Sequence, residues 1–377
     1  MAFRPGSCLK LACGGALGLL LGVGVNAAAF AQAGGPPAAP VRPALASIAP
    51  GTASVVPGAL SGAAGTVSAA TSAPAGAPGL VFVLNSRDAS VSKVDRGRLG
   101  EVGRLNVGKE PHHLYPTPDG RSLIVASAMS NELHFLDPLT GELQRRIAGI
   151  DDPYQIGFSP DNRWFVTAAL RLDRVDLYRY DGSSLTLSQR VPLPKAPSHL
   201  WFSADSRFVF VTLQESNEIA AIDLVQQTLA WKMPTGAQPA GLIMTPDDKY
   251  LLVGVMGENY VQVIDWRRRE TVARIVTGKG AHNFRGLGDK RHVFVSNRAE
   301  NTVSLIDMQT MTVAGSFAVP GGPDCLEVSA DRRQLWVTAR WAKQVAVVDL
   351  ETRRVVRTIP VGRSPHGLYF HDRAPTL

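Results

Sequence analysis

His112, His282, Asp324 and His366 each stand directly after a proline or alanine that recurs along the chain: Pro111, Ala281, Pro323 and Pro365. Imidazole with carboxylate is the donor set for a zinc- or copper-type ion, and the same groups can pass protons near neutral pH. The whole series at this position reads His112, Tyr154, Ser198, Ala240, His282, Asp324, His366, and the residue after it reads His113, Gln155, His199, Gly241, Asn283, Cys325, Gly367. A second series supplies Asn297 with Arg298, Arg340 with Trp341, and Asn85 with Arg87 on one side, against Gln214, Glu215, Met256 and Glu258 on the other. Guanidinium groups take carboxylate or phosphate through two parallel hydrogen bonds, so the arginine side could attract a small anion. The candidate ligand-binding set is therefore His112, His282, Arg298, Asp324, Arg340 and His366, with His112, His282, Asp324 and His366 as the metal set. Metal affinity at free histidines should fall as pH drops through about 6.5, and anion affinity should rise. In a regular strand Cys325 faces away from Asp324, as a buried apolar thiol and not a ligand. A structural role for each histidine, bonded to a neighbouring carbonyl, is the competing reading.

These residues share a phase because the chain repeats. An aspartate closes an apolar run at Asp95, Asp137, Asp181, Asp223, Asp265, Asp307 and Asp349, at spacings of 42, 44, 42, 42, 42 and 42 residues. The series Pro111, Pro153, Pro197, Pro239, Ala281, Pro323, Pro365 keeps the same spacing, and turn aspartates from Asp119 to Asp331 keep phase with both. Each period holds four short β runs, for example residues 241–245, 250–255, 260–265 and 271–277, with no room for a ten-residue helix. Four strands per ~40–45 residues predict an all-β, seven-bladed propeller over residues 79–377. The chain enters at a second strand (80–85) and leaves at a first strand (366–370), so the last blade should be closed by both terminal segments. Propeller geometry then puts both residues after the proline at the start of the innermost strand, by the mouth of a central channel, with blades 5, 6, 7 and 1 side by side. The seven aspartates should cap turns and not catalyse.

Val293-Phe294-Val295-Ser296-Asn297 followed by Asn301-Thr302-Val303-Ser304-Leu305-Ile306-Asp307 resembles the YVTN repeat, and residues 361–367 resemble the segment that opens each of its blades. The resemblance covers residues 79–377 and implies a seven-bladed propeller, usually exported, of the YncE and surface-layer type. Fold relatives include propeller lactonases and the haem-binding propeller of nitrite reductases. No C-x-x-C-H for c-type haem attachment is present.

Residues 1–31 read as a secretory signal peptide: Arg4 and Lys10, an apolar run over 11–25, and Ala29-Phe30-Ala31 before Gln32. Residues 32–78 are an Ala/Pro/Gly/Ser segment with one charge, Arg42, expected to be a disordered linker. Export to the periplasm or outside the cell follows, with no transmembrane span after cleavage. The formal net charge of +7 includes the two signal-peptide cations. The doublets and triplet Arg145-Arg146, Arg267-Arg268-Arg269, Arg332-Arg333 and Arg353-Arg354 fall on turns and outer strands, where a solvated face explains them better than a nucleic-acid patch. Of three cysteines, Cys8 and Cys13 lie in the signal segment, which leaves Cys325 and excludes disulfide or multi-cysteine metal scaffolds. No G-x-S-x-G, P-loop or H-E-x-x-H occurs. The first reading is a monomeric exported binding module taking a small anion, a metal or a protein loop at the channel mouth. A lactonase-type hydrolase using His282, Arg298, Asp324 and Arg340 is the alternative, drawn from an Asn-Arg step similar to Asn297-Arg298. YncE-like nucleic-acid binding is the third.

Overall fold

The computed structural model describes residues 79–377. The proposed signal peptide and linker lie outside the described residues. Twenty-eight strands form seven four-stranded antiparallel sheets, one per blade. Blades 1 to 6 run in chain order from Pro111 to Pro360. In blade 7 the inner strand is Pro365–Tyr369 and the other three are Leu80–Asn85, Ser90–Asp95 and Gly100–Asn106. The predicted closure by both terminal segments is therefore what the protein does: Phe82 pairs with Tyr369 and Val83 with Leu368. No sheet at the seam is left with an open inner edge.

Each blade is sandwiched between two others, so its second strand is apolar on both faces: Leu251 to Val255 is buried at every residue. Outer strands see water on one side and alternate, as in Thr312–Ala318. Neighbouring blades share the core; Val303, Leu305 and Phe317 of blade 5 pack with Leu326, Leu335 and Val337 of blade 6. The seven repeated aspartates accept turn N–H groups, for example Leu139 and Thr140 on Asp137 and Gln309 on Asp307, the structural work expected of them.

Two local features aim side chains at the channel. The residue before each recurring proline or alanine (Glu110, Asp152, Ala196, Gln238, Gly280, Gly322, Ser364) is left-handed, with φ from 43° to 80°. Its carbonyl accepts an N–H from the second-strand loop: Arg298 bonds Gly280 and Arg340 bonds Gly322, both at 2.9 Å. The turn thus fixes where the two arginines start. The second feature is a β-bulge. Ala281 lies opposite Asn297 but Phe284 lies opposite Val295, so the inner strand advances three residues while its partner advances two. Pro197/Leu200, Pro239/Leu242 and Pro323/Leu326 repeat the pattern. A bulge re-aims side chains, bringing consecutive residues toward the same side. The bulge N–H is not orphaned: Asn283 donates to Ser296 Oγ (3.1 Å) and Cys325 to Thr338 Oγ1 (3.0 Å). The Ser296 hydroxyl passes on to the Asp324 carbonyl of the next blade (2.8 Å), tying blades together at the mouth.

Beyond Tyr369 the chain turns beneath the ring. Ala374 donates to the Val328 carbonyl (2.9 Å), and Arg285, paired with Glu327, donates to the carbonyls of Ala374 and Pro375. Gly286 is glycine because the Thr376 carbonyl lies against it; a Cβ would stand 1.7 Å away. Residues 372–377 therefore cross under blades 6 and 5.

Candidate functional site at the channel mouth

Asp324 is 0% exposed and lies at the centre of the polar cluster. Arg298 Nη2 donates to its Oδ1 (2.7 Å) and Arg340 Nη1 to its Oδ2 (3.0 Å). His282 Nδ1 is 3.0 Å and His366 Nε2 3.6 Å from Oδ1. Burial opposes ionisation of Asp324, but the Arg298 guanidinium, with His366 and His282 beside it, outweighs burial and holds the carboxyl well below its usual range. The structure thus brings together five of the six sequence-predicted residues: His282, Arg298, Asp324, Arg340 and His366. His112 meets them through stacking, its ring 3.7 Å from that of His366 and 3.9 Å from Tyr154.

The sequence places His113 and His199 by the mouth with the residues before them, but they are not among the six candidates. The bulge turns them in. The rings of His113, His199, His282 and His366 form a closed quadrilateral with centroid separations of 5.4, 5.2, 6.2 and 4.8 Å around its sides. Each ring is nearly perpendicular to the next, at 85° to 90°. A signal was present: the second series contains two histidines beside one rich in histidine. Between the blades of His199 and His282, Gly241 lets the inner strands approach closely; a Cβ there would lie 2.3 Å from the His282 carbonyl.

Cys325 departs in part from the sequence expectation. It packs against the apolar cluster of Trp336 and Phe370, but the bulge also brings its Sγ to 3.5 Å from His366 Nδ1, where it accepts from Asn283 Nδ2 (3.1 Å). Cys325, Asp324 and His366 can each place one ligand atom within 4.8 Å of the others, and so can His112, His113 and His366. Burial pushes the Cys325 thiol well above its ordinary range, so it stays protonated.

Burial is also the largest influence on all five histidines, pushing His113 and His282 down to about 4 and His112, His199 and His366 well below 6.5. At neutral pH the cluster holds five neutral imidazoles, one carboxylate and two guanidinium groups. The expected change of charge near pH 6.5 is displaced to far more acidic conditions. Both arginines are engaged by Asp324, so the cationic arc read from the sequence is reduced to one excess positive charge. Arg298 Nη2 also reaches His282 Nε2 (2.7 Å), and since guanidinium only donates, that nitrogen is the acceptor.

Asn297, the other half of the Asn-Arg step, is fully buried and spends its amide on Thr302 Oγ1 (3.0 Å) and Ser304 Oγ (2.9 Å). Asn85 in blade 7 makes the same pair of bonds to Ser90 and Ser92. The asparagine is therefore a blade fastener that recurs with the repeat.

With this geometry, the sequence over residues 38–376 matches the family described as YNCE-like beta-propeller. The chain belongs to that family. Among solved structures it is similar to a functionally unknown protein from Desulfotomaculum acetoxidans (TM-score 0.66, 14% identity, 77% of this chain and 98% of that one). It is also similar to the dihydro-heme d1 dehydrogenase NirN in complex with DHE (0.59, 17%, 77% and 75%) and to Kuenenia stuttgartiensis hydrazine synthase (0.58, 18%, 70% and 91%). At these identities the likeness is one of fold. No curated protein matches the chain.

Proposed function

We propose that this protein is an exported binding propeller that holds a small ligand in the mouth of its channel and does not turn one over. The observation that carries the reading is a set of buried imidazole nitrogens with no protein partner: His113 Nε2, His199 Nε2 and His366 Nε2. Buried polar atoms are ordinarily satisfied, so three together argue for something that occupies the space between them. Export rests on the residue 1–31 pattern, and the site favours an ion-sized occupant because Asp324, His282 and His366 are almost wholly enclosed. The lactonase alternative loses support where it was drawn: Asn297 fastens a blade and Arg298 is committed to Asp324 and His282. The grooves of about 420 to 680 Å³ on the described residues do not include the clustered histidines, Arg298, Asp324 or Arg340, although one runs beside Gln214 and Glu215 on the rim of the mouth.

The test is native mass spectrometry of the full chain recovered from an exported fraction, read for a retained ligand. It is repeated on the doubly substituted His282→Ala, His366→Ala protein. A mass adduct present in the first and missing from the second is expected. Turnover of a lactone panel by the wild-type protein, abolished in the double variant, would reverse the reading in favour of catalysis.

A further inference from the structure

The hydrogen bonds around the histidines determine which nitrogens carry protons. His113 Nδ1 lies 2.7 Å from the Tyr154 carbonyl and His366 Nδ1 lies 2.7 Å from the His112 carbonyl. A carbonyl can only accept, so both Nδ1 atoms are protonated. In a neutral imidazole the other nitrogen then bears a lone pair. His113 Nε2 and His366 Nε2 are thus bare, buried acceptors. His366 Nε2 moreover faces Asp324 Oδ1 at 3.6 Å, one acceptor against another, a contact that calls for a cation or a donor between them. His199 Nε2 is likewise buried without a partner, while its Nδ1 contacts Ser198 Oγ (3.1 Å). His282 differs. Arg298 claims its Nε2, so its Nδ1 is the protonated atom and points at the carboxylate.

Imidazole with Nδ1–H held by a backbone carbonyl and Nε2 free is the arrangement found behind metal-ligating histidines, because it fixes both tautomer and ring direction. Two of the three ring separations agree. Nitrogens binding a metal at about 2.0 Å place neighbouring ring centroids roughly 5 Å apart, and His113–His366 is 4.8 Å and His113–His199 is 5.4 Å. The His199 and His366 rings face each other across the quadrilateral, so His199 must move inward to complete the set. We propose that His113, His199 and His366 form a three-imidazole site for a divalent transition-metal ion, with Asp324 supplying the negative charge beside it. This deepens the channel-mouth reading and rests on it. It also shifts the ligand set from the one read in the sequence: His113 and His199 enter, and His112 and His282 become supports, one stacked on His366 and one bonded to Asp324.

The surrounding charge selects among metals. Arg298 and Arg340 together exceed Asp324 by one positive charge, which disfavours any weakly bound cation. Copper(II) has the highest affinity for imidazole along the divalent series, so copper should bind more tightly than zinc.

The full chain, stripped with chelator, is titrated with copper(II) and separately with zinc(II) by calorimetry. The copper form is examined by electron paramagnetic resonance for nitrogen superhyperfine splitting. One copper per chain with imidazole-nitrogen splitting is expected, and zinc should bind more weakly. His199→Gln and His366→Gln should each lower copper affinity about 100-fold or more, while His134→Gln, His292→Gln and His371→Gln leave it unchanged. Should a cluster variant fail to fold, the wild-type spectrum decides: oxygen-only coordination overturns the site. Equal affinity in wild-type and folded cluster variants overturns it too. If an organic adduct is retained at the mouth while copper binds no better than to the variants, the binding reading stands and the metal site falls.

Discussion

Replacing Asp324 by Asn removes a negative charge from between two guanidinium groups and two imidazoles. Breaking a buried ion cluster on one side leaves uncompensated charge, so Asp324→Asn should cost about 3 kcal/mol or more. Asp349→Asn, which loses only turn bonds at an outer corner, should lower the melting temperature far less. Equal shifts in the two variants would refute the central place given to Asp324. The histidines add a pH dependence whose sign follows from their depressed values. Between about 6.5 and 4 the unfolded chain takes up protons that the folded cluster refuses, so stability falls as pH falls through that window. Each affected histidine contributes roughly 1.4 kcal/mol per pH unit there. Thermal melts of metal-free protein from pH 7.5 to 5 should show the decline, and His199→Gln should make it shallower; a flat wild-type profile would contradict the neutral, buried cluster. The residue types at this site were legible in the sequence, and five of six candidates meet. The orientation of their neighbours was not, since alternation along a regular strand misplaces His113, His199 and Cys325 wherever a bulge adds a residue.

The inner strands begin from a strained turn. Seven left-handed residues precede them, and five, including Ala196 and Gln238, are not glycine. A left-handed non-glycine residue costs roughly 1–2 kcal/mol, partly offset by the larger unfolded-state entropy of glycine. Ala196→Gly should therefore raise stability by about 0.5–1 kcal/mol in denaturant titration, without changing the channel mouth; a loss of stability would mean that the turn is not strained as its φ implies. The proline series announced where these strands start, because proline supplies no N–H and its φ suits a strand opening. The turn before it was hidden: Glu110, Asp152, Ala196, Gln238 and Ser364 share no side-chain property that signals φ above zero. The bulge was equally silent, although the hydroxyls of Ser296 and Thr338 that receive its N–H groups belong to the visible repeat.

At the scale of the ring, the fold was readable almost throughout, because a period near 42 residues with four apolar runs admits few architectures. The crossing of residues 372–377 beneath blades 6 and 5 was not, since it depends on contacts outside the repeat pattern: the buried Arg285, the Arg96–Asp372 pair and the Ala374 N–H on the Val328 carbonyl. Deleting residues 364–377 should remove His366, Leu368 and Phe370 together and leave blade 7 without its inner strand. Such a protein should fail to fold, or melt far below the full chain, as read by circular dichroism; an unchanged transition would contradict ring closure. The milder Arg285→Ala should spare the blades but expose residues 372–377 to limited proteolysis.

The seam between Asn85 and Pro365 also joins segments about 280 residues apart in the chain, and Ser86 is bonded to Ser364 across it. Closing a loop of that length forfeits chain entropy that no local contact returns, so the seam belongs among the slow, late contacts of folding. His366 rides on the strand that makes it. An occupant of the channel mouth would therefore bind only chains whose two ends have met. By mass action it would stabilise that closed state by RT ln(1 + [L]/Kd), a non-covalent latch on the circle itself.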